Sequence, residues 1–154
     1  MKITLLAIGR LGRIPEAMLA KDYADRATAS GRALGLGPVE VIEVEARKPG
    51  KAAEAEALKP HLQDAYLIAC DEHGHAMASR AFAGQIARLR DDGNRRLVIV
   101  IGGADGLDPA LLDAANAKLA FGPQTWPHAL ARVMLAEQVY RAVTILAGSP
   151  YHRD

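Results

Sequence analysis

The sequence predicts an α/β fold, a mainly parallel sheet with helices on both faces, in one domain spanning residues 1–154. Three observations lead there. Apolar, β-branched runs at Lys2–Gly9, Tyr66–Asp71 and Arg96–Ile101 read as strands covered on both faces. Helical segments separate them, and that alternation favours a parallel sheet. These strands also stop at loops that carry glycine, and in such sheets ligands bind beyond the carboxyl ends of strands.

Taken in order, KITLLAIG (Lys2–Gly9) is the first strand, broken by Gly9 to Gly12. Ile14-Pro15-Glu16 starts a helix, because proline suits the first helical position and an acid suits the positive end. It runs to about Gly31–Gly35. Val39–Val44, VEVIEV, alternates apolar and acidic, as a half-exposed strand near a sheet edge does. After the basic turn Arg47-Lys48-Pro49-Gly50-Lys51, an Ala- and Glu-rich helix extends to about Ala65, with Pro60 expected to kink or restart it. Tyr66–Asp71 ends in a loop, Glu72-His73-Gly74-His75, and Ser79 is placed to cap a helix over Arg80–Arg90. Arg96–Ile101 meets Gly102-Gly103, with a short helix from Asp108 to about Asn116. A brief strand at Lys118–Phe121, a loop over Gly122–Pro127 and a last helix from His128 to Leu146 follow. That helix is apolar around most of its circumference, which requires burial, and a second copy of the chain is one way to supply it.

Composition narrows the function classes. Half of the residues are hydrophobic and the formal net charge is +1, so no global basic signal marks nucleic acid. The single cysteine, Cys70, excludes an internal disulfide framework and fits a reducing compartment. Met1 runs straight into a strand, and no apolar run reaches ~18 residues. A cytoplasmic protein without membrane contact is expected.

Gly102-Gly103-x-x-Gly106 lacks the spacing of a dinucleotide fingerprint, and no phosphate-loop lysine-serine pair is present. His73 and His75 have no obvious third ligand nearby, so no metal is expected. No serine sits in a nucleophile elbow. Three loops remain as candidates, those after Asp71, Ile101 and Phe121. The tail, Tyr151-His152-Arg153, unites a stacking face, a titratable donor and a fixed cation. Arg132, Arg141 and His128 can add positive charge, and Arg10, Arg13, Arg47, Lys48 and Lys51 lie where loops could meet phosphates. Solubility alone also explains such loop charges, and a terminal tail can equally be solvated.

IGGADGL, TWPHALARVMLAEQVYRA and the terminal PYHR resemble the large-subunit rRNA methyltransferase H family, small enzymes of the SPOUT class. The opening MKITLLAIG and the total length fit as well. The resemblance spans the chain and is most specific in its C-terminal third. It implies a C-terminal trefoil knot, a homodimer, and S-adenosylmethionine as methyl donor. The implied cofactor contacts are Cys70, Gly103 and the run Phe121, Gly122, Pro123, Gln124, Thr125 and Trp126. The family often has leucine where this chain has Cys70. The implied reaction is methylation of N3 of a pseudouridine in 23S rRNA on the ribosome. Deprotonating N3 spreads negative charge onto the flanking carbonyls, which a nearby cation stabilises. His152 and Arg153 are therefore expected to orient substrate or handle the proton, with Tyr151 stacking or positioning and Arg132 as a further candidate. The alternatives are a non-enzymatic RNA- or ribosome-binding module, a nucleotide-binding enzyme with phosphate on Gly102–Gly106, and a methyltransferase acting on another RNA.

Overall fold

The computed structural model describes residues 1–153. Its sheet has five strands, β1 (Lys2–Ile8), β2 (Val39–Val44), β3 (Tyr66–Ala76), β4 (Arg96–Ile101) and β5 (Ala117–Ala120), in the order β2-β1-β4-β3-β5. Every neighbouring pair is parallel, so all five carboxyl ends lie at one end of the sheet. β4 is central, and Leu97 to Val100 are wholly buried, as its unbroken apolar run requires. β2 is an edge strand, as its alternation predicts.

The helices are α1 (Pro15–Gly31), α2 (Lys51–Leu62), α3 (Ser79–Asp91), α4 (Pro109–Ala114) and α5 (His128–Leu146). One core cluster joins α1, α3 and α5 to one face of the sheet through Ala24, Phe82, Ile86, Leu135 and Val139. The other joins α2 and α4 to the opposite face through Leu58 and Leu111. Helices thus cover both faces, as predicted.

α5 leaves edge strand β5 yet packs against α1, α3, β1 and β4. It therefore sits centrally in its layer. Most of its apolar surface is covered by its own chain, through Leu135, Ala136, Val139, Ala142 and Val143. Its composition alone does not call for a second copy.

Several local expectations are corrected. β3 continues past Asp71 to Ala76, so His73-Gly74-His75 lies in a strand rather than a loop. Its register against β5 shifts between Cys70 and His75, the irregularity that lets a polar segment stay paired. Pro60 lies inside α2 near its end without breaking it. Ala78, not Ser79, is the N-cap of α3; the Ser79 hydroxyl donates instead to Gln138 Oε1 at 2.8 Å. Asp108 does cap α4, accepting from the Ala110 N–H at 2.9 Å.

Gly74 makes the β3–β5 approach possible. A Cβ there would stand 2.8 Å from the Leu119 backbone, which no relaxed structure tolerates. Gly74→Ala should therefore destabilise the fold by about 2–3 kcal/mol, as overpacking against main chain does. Denaturant unfolding reads this directly, and an unchanged midpoint would show that β5 can shift freely.

Candidate functional site

Parallel pairing brings Cys70 of β3 and the loops after β4 and β5 to one level, while the third candidate, the stretch after Asp71, continues as strand to Ala76. Cys70 pairs with Ile101 on one side and with Leu119 on the other. Gly102-Gly103 and Phe121-Gly122 thus start within two residues of the level of Cys70. The Gly103 carbonyl accepts from the Gly106 N–H at 3.1 Å, closing a tight turn, and Gly106 has the positive φ (79°) that favours glycine. The loop after β5 is held by Trp126, whose indole N–H donates to the Phe121 carbonyl at 3.2 Å. Pro123, Gln124, Thr125 and Trp126 are exposed, and Phe121 and Gly122 are half-buried.

Cys70 is half-buried, and burial followed by the charge of Asp71 pushes its thiol up to about 12. It remains a neutral thiol, a packing surface rather than a nucleophile. The Cβ position of Gly103 points at both carboxylate oxygens of Glu54 (3.1 and 3.2 Å) and at Ile8 Cγ2 (3.4 Å). Any side chain there would fill this cradle. Glu54, from the first turn of α2, is a site neighbour that sequence reasoning missed, because only the fold carries α2 to the β4 loop.

The tail is docked. Gly148, at φ 66°, reverses the chain after α5, with the Ser149 N–H donating to the Thr144 carbonyl at 2.9 Å. The Tyr151 hydroxyl donates to Glu137 Oε1 at 3.0 Å, and the Tyr151 ring meets Tyr140 edge-on at 4.7 Å between centroids. Arg141 stacks over the Tyr151 ring at 4.9 Å. It also donates through Nε (3.0 Å) and Nη2 to the same Glu137 oxygen, and its Nη1 lies 3.3 Å from His152 Nδ1. Burial, then hydrogen bonds to Tyr23 and Glu137, push the Tyr151 phenol above its usual range, so it stays neutral. Arg153 is exposed. Glu137 and Arg141 organise this end, and their four-residue spacing on one helix was the signal available for them.

Glu137 also lines a cavity of about 400 Å³ between α1, α3 and α5. Phe121 and Gly122 of the β5 loop form another part of its wall, with Tyr23, Ser79 and Gln138. The cavity thus links the tail anchor to the loop cluster.

Arg132 is placed elsewhere. It is 3 % exposed, and its guanidinium donates to the Gly9 carbonyl (2.9 Å), the Ile8 carbonyl and Glu43 Oε1 (2.9 Å). Glu43 in turn accepts from the Leu11 N–H at 3.2 Å. Arg132 therefore ties the carboxyl end of β1 to β2, and its guanidinium is engaged by Glu43 and two carbonyls. His73 and His75 are exposed along β3, and no group of three or more metal-ligating side chains occurs among the described residues.

Residues 1–152 match the family described as "Predicted SPOUT methyltransferase". The chain belongs to the SPOUT methyltransferase family. It is 77% identical over its full 154 residues to the ribosomal RNA large subunit methyltransferase H of Caulobacter sp. (strain K31), all of which is covered. The protein of the same name from Caulobacter vibrioides is 75% identical, with 100% of this chain and 99% of that one covered. Among solved structures, a probable methyltransferase from Bordetella pertussis Tohama I superposes with a TM-score of 0.57 at 19% identity, over 92% of this chain and 96% of that one. That likeness is one of fold.

SPOUT methyltransferases use S-adenosylmethionine, and the chemistry of the residues here fits it: Glu54, against Gly103, can accept from hydroxyl groups, and Cys70 offers a small uncharged side chain. No phosphate cradle is needed for a phosphate-free donor.

Arg132→Met should lower stability by about 3 kcal/mol, because Glu43 and two carbonyls lose a buried partner. S-adenosylmethionine affinity, measured by calorimetry well below the melting point, should stay within about twofold, since the side chain lies outside the loop cluster. Unchanged stability with lost methyl transfer would restore Arg132 to the reaction.

Proposed function

We propose that this protein methylates N3 of a pseudouridine in 23S rRNA on the ribosome, using S-adenosylmethionine. The observation that carries this is the tail. Tyr151 and His152 are fastened by Glu137 and Arg141 beside a cavity that reaches the Phe121–Gly122 loop. Full-length identity of 77% to a protein named for ribosomal RNA methylation supports the substrate class.

Bound S-adenosylmethionine supplies a methyl group on a sulfonium, so the protein's task is alignment and charge management. Cys70, the Gly103 backbone and Phe121–Trp126 hold the donor. His152 and Arg153 face the uracil ring, where hydrogen bonds to its carbonyls stabilise the charge that develops as N3 gives up its proton. Tyr151, a neutral phenol, positions the tail.

Arg10 and Arg13 follow β1, and Arg47 and Lys48 follow β2, so these basic loops stand at the same end of the sheet as the donor loops. They suit rRNA phosphates, and binding to ribosomes should weaken steeply with salt. A homodimer is part of the proposal. Its support is the exposed apolar set Ile14, Met18 (67 % exposed), Leu19, Trp126 and Leu130, near the starts of α1 and α5. So is a trefoil knot, supported by the return of α5 from edge strand β5 to the middle of its layer. No described helix is long and apolar enough to cross a membrane. Action on ribosomes places the protein in the cytoplasm.

Removing residues from Tyr151 onward should leave S-adenosylmethionine binding intact by calorimetry and reduce methyl transfer to ribosomes at least about 100-fold. Undiminished transfer would contradict the role of the tail. Intact protein that gives no heat with S-adenosylmethionine, yet binds ribosomes, would be a non-enzymatic module.

A further inference from the structure

Arg141 has three guanidinium nitrogens, and Glu137 Oε1 takes two of them, Nε and Nη2. The third, Nη1, is left directed at His152 Nδ1, 3.3 Å away. A guanidinium only donates hydrogen bonds. The partner nitrogen must therefore present its lone pair, which places the ring proton on Nε2. Glu137 is itself steadied, because its other oxygen, Oε2, accepts from Gln138 Nε2 at 2.8 Å, and Gln138 Oε1 accepts from the Ser79 hydroxyl. The Tyr151 ring packs against the Arg141 guanidinium from the tail side. The rotation of Arg141 is thus determined by groups that do not include His152.

We infer that Arg141 is a positioning residue that sets the tautomer of His152, so that His152 meets the substrate as an Nε2–H donor rather than as the base for the N3 proton. This role presupposes the pseudouridine methylation proposed above and decides between the two tasks, orienting substrate and handling the proton, that the sequence leaves open for His152. Nε2–H donates to a carbonyl flanking N3 while the N–CH3 bond forms and the methyl–sulfur bond breaks. The N3 proton passes to solvent water, and the sulfur departs as a neutral thioether. Charge that builds on the carbonyl is met by a fixed donor that needs no reorganisation.

The full-length protein labelled with ¹⁵N in its histidine rings tests this without substrate. Two-bond proton–nitrogen spectra report which ring nitrogen carries the proton, and His152→Asn identifies the signals. The intact protein should show the Nε2–H form. Arg141→Met should convert His152 to a mixture of tautomers, and Arg141→Lys, which keeps a donor, should recover Nε2–H at least in part. An Nδ1–H form in the intact protein, or no change in Arg141→Met, would overturn the assignment. In ribosome methylation, Arg141→Met should lower kcat about tenfold or more with S-adenosylmethionine affinity unchanged. His152→Gln, whose amide N–H stands near the place of Nε2–H, should keep measurable transfer. Complete loss in His152→Gln would overturn the donor role. Should the tautomer respond as described while the intact protein transfers no methyl to ribosomes, the positioning by Arg141 stands and the pseudouridine methylation fails.

Discussion

The double pairing of β3 is the constraint on which the site depends. β3 bonds to β4 along one edge and to β5 along the other, with Cys70 at a common level between Ile101 and Leu119. Cys70 and the loops after β4 and β5, from distant parts of the chain, therefore stand at one height. Contact at the β5 edge requires Gly74, because its missing side chain lets β3 lie against the Leu119 backbone. Without that approach β5 and the Phe121–Trp126 loop that follows it would be displaced from β3.

The other half of the site hangs on one carboxylate. Glu137 accepts from Tyr151 and Arg141 at the same oxygen, and through them it fixes a segment that termini usually leave loose. Two arginines on α5, nine positions apart, have opposite fates. Arg132 is buried in the service of β1 and Glu43, and Arg141 lies at the tail. Arg132 also holds the Gly9 carbonyl, where the loop that carries Arg10 and Arg13 begins.

Much of the fold was legible because buried parallel strands write continuous apolar runs. β1 and β4 fall within a residue of their expected ends, and α5 begins at the expected residue. The far half of β3 was not legible. Glu72, His73 and His75 are polar and face solvent, and only a partner strand from elsewhere in the chain makes that stretch a strand. The burial of Arg132 was hidden for a similar reason, since its partners at Ile8, Gly9 and Glu43 lie some ninety to a hundred and twenty residues away. The apolar circumference of α5 was read correctly as buried, but α1 and α3 supply most of the cover. Glu54 stayed out of sight because nothing local distinguishes it from Glu56, the other acid of α2. The residues of the loops and the tail could be named from the sequence, but the Glu137–Arg141 frame that holds the tail, and the cavity Glu137 shares with Phe121 and Gly122, come from the fold.

We propose that these loops and this tail serve one methyl transfer to a pseudouridine in ribosomal RNA. Mass mapping of large-subunit rRNA from cells with and without this protein measures that most directly. A single methyl group should be lost from one pseudouridine when the protein is absent, and should return when the intact chain is restored. An rRNA methylation pattern identical in both strains would contradict it.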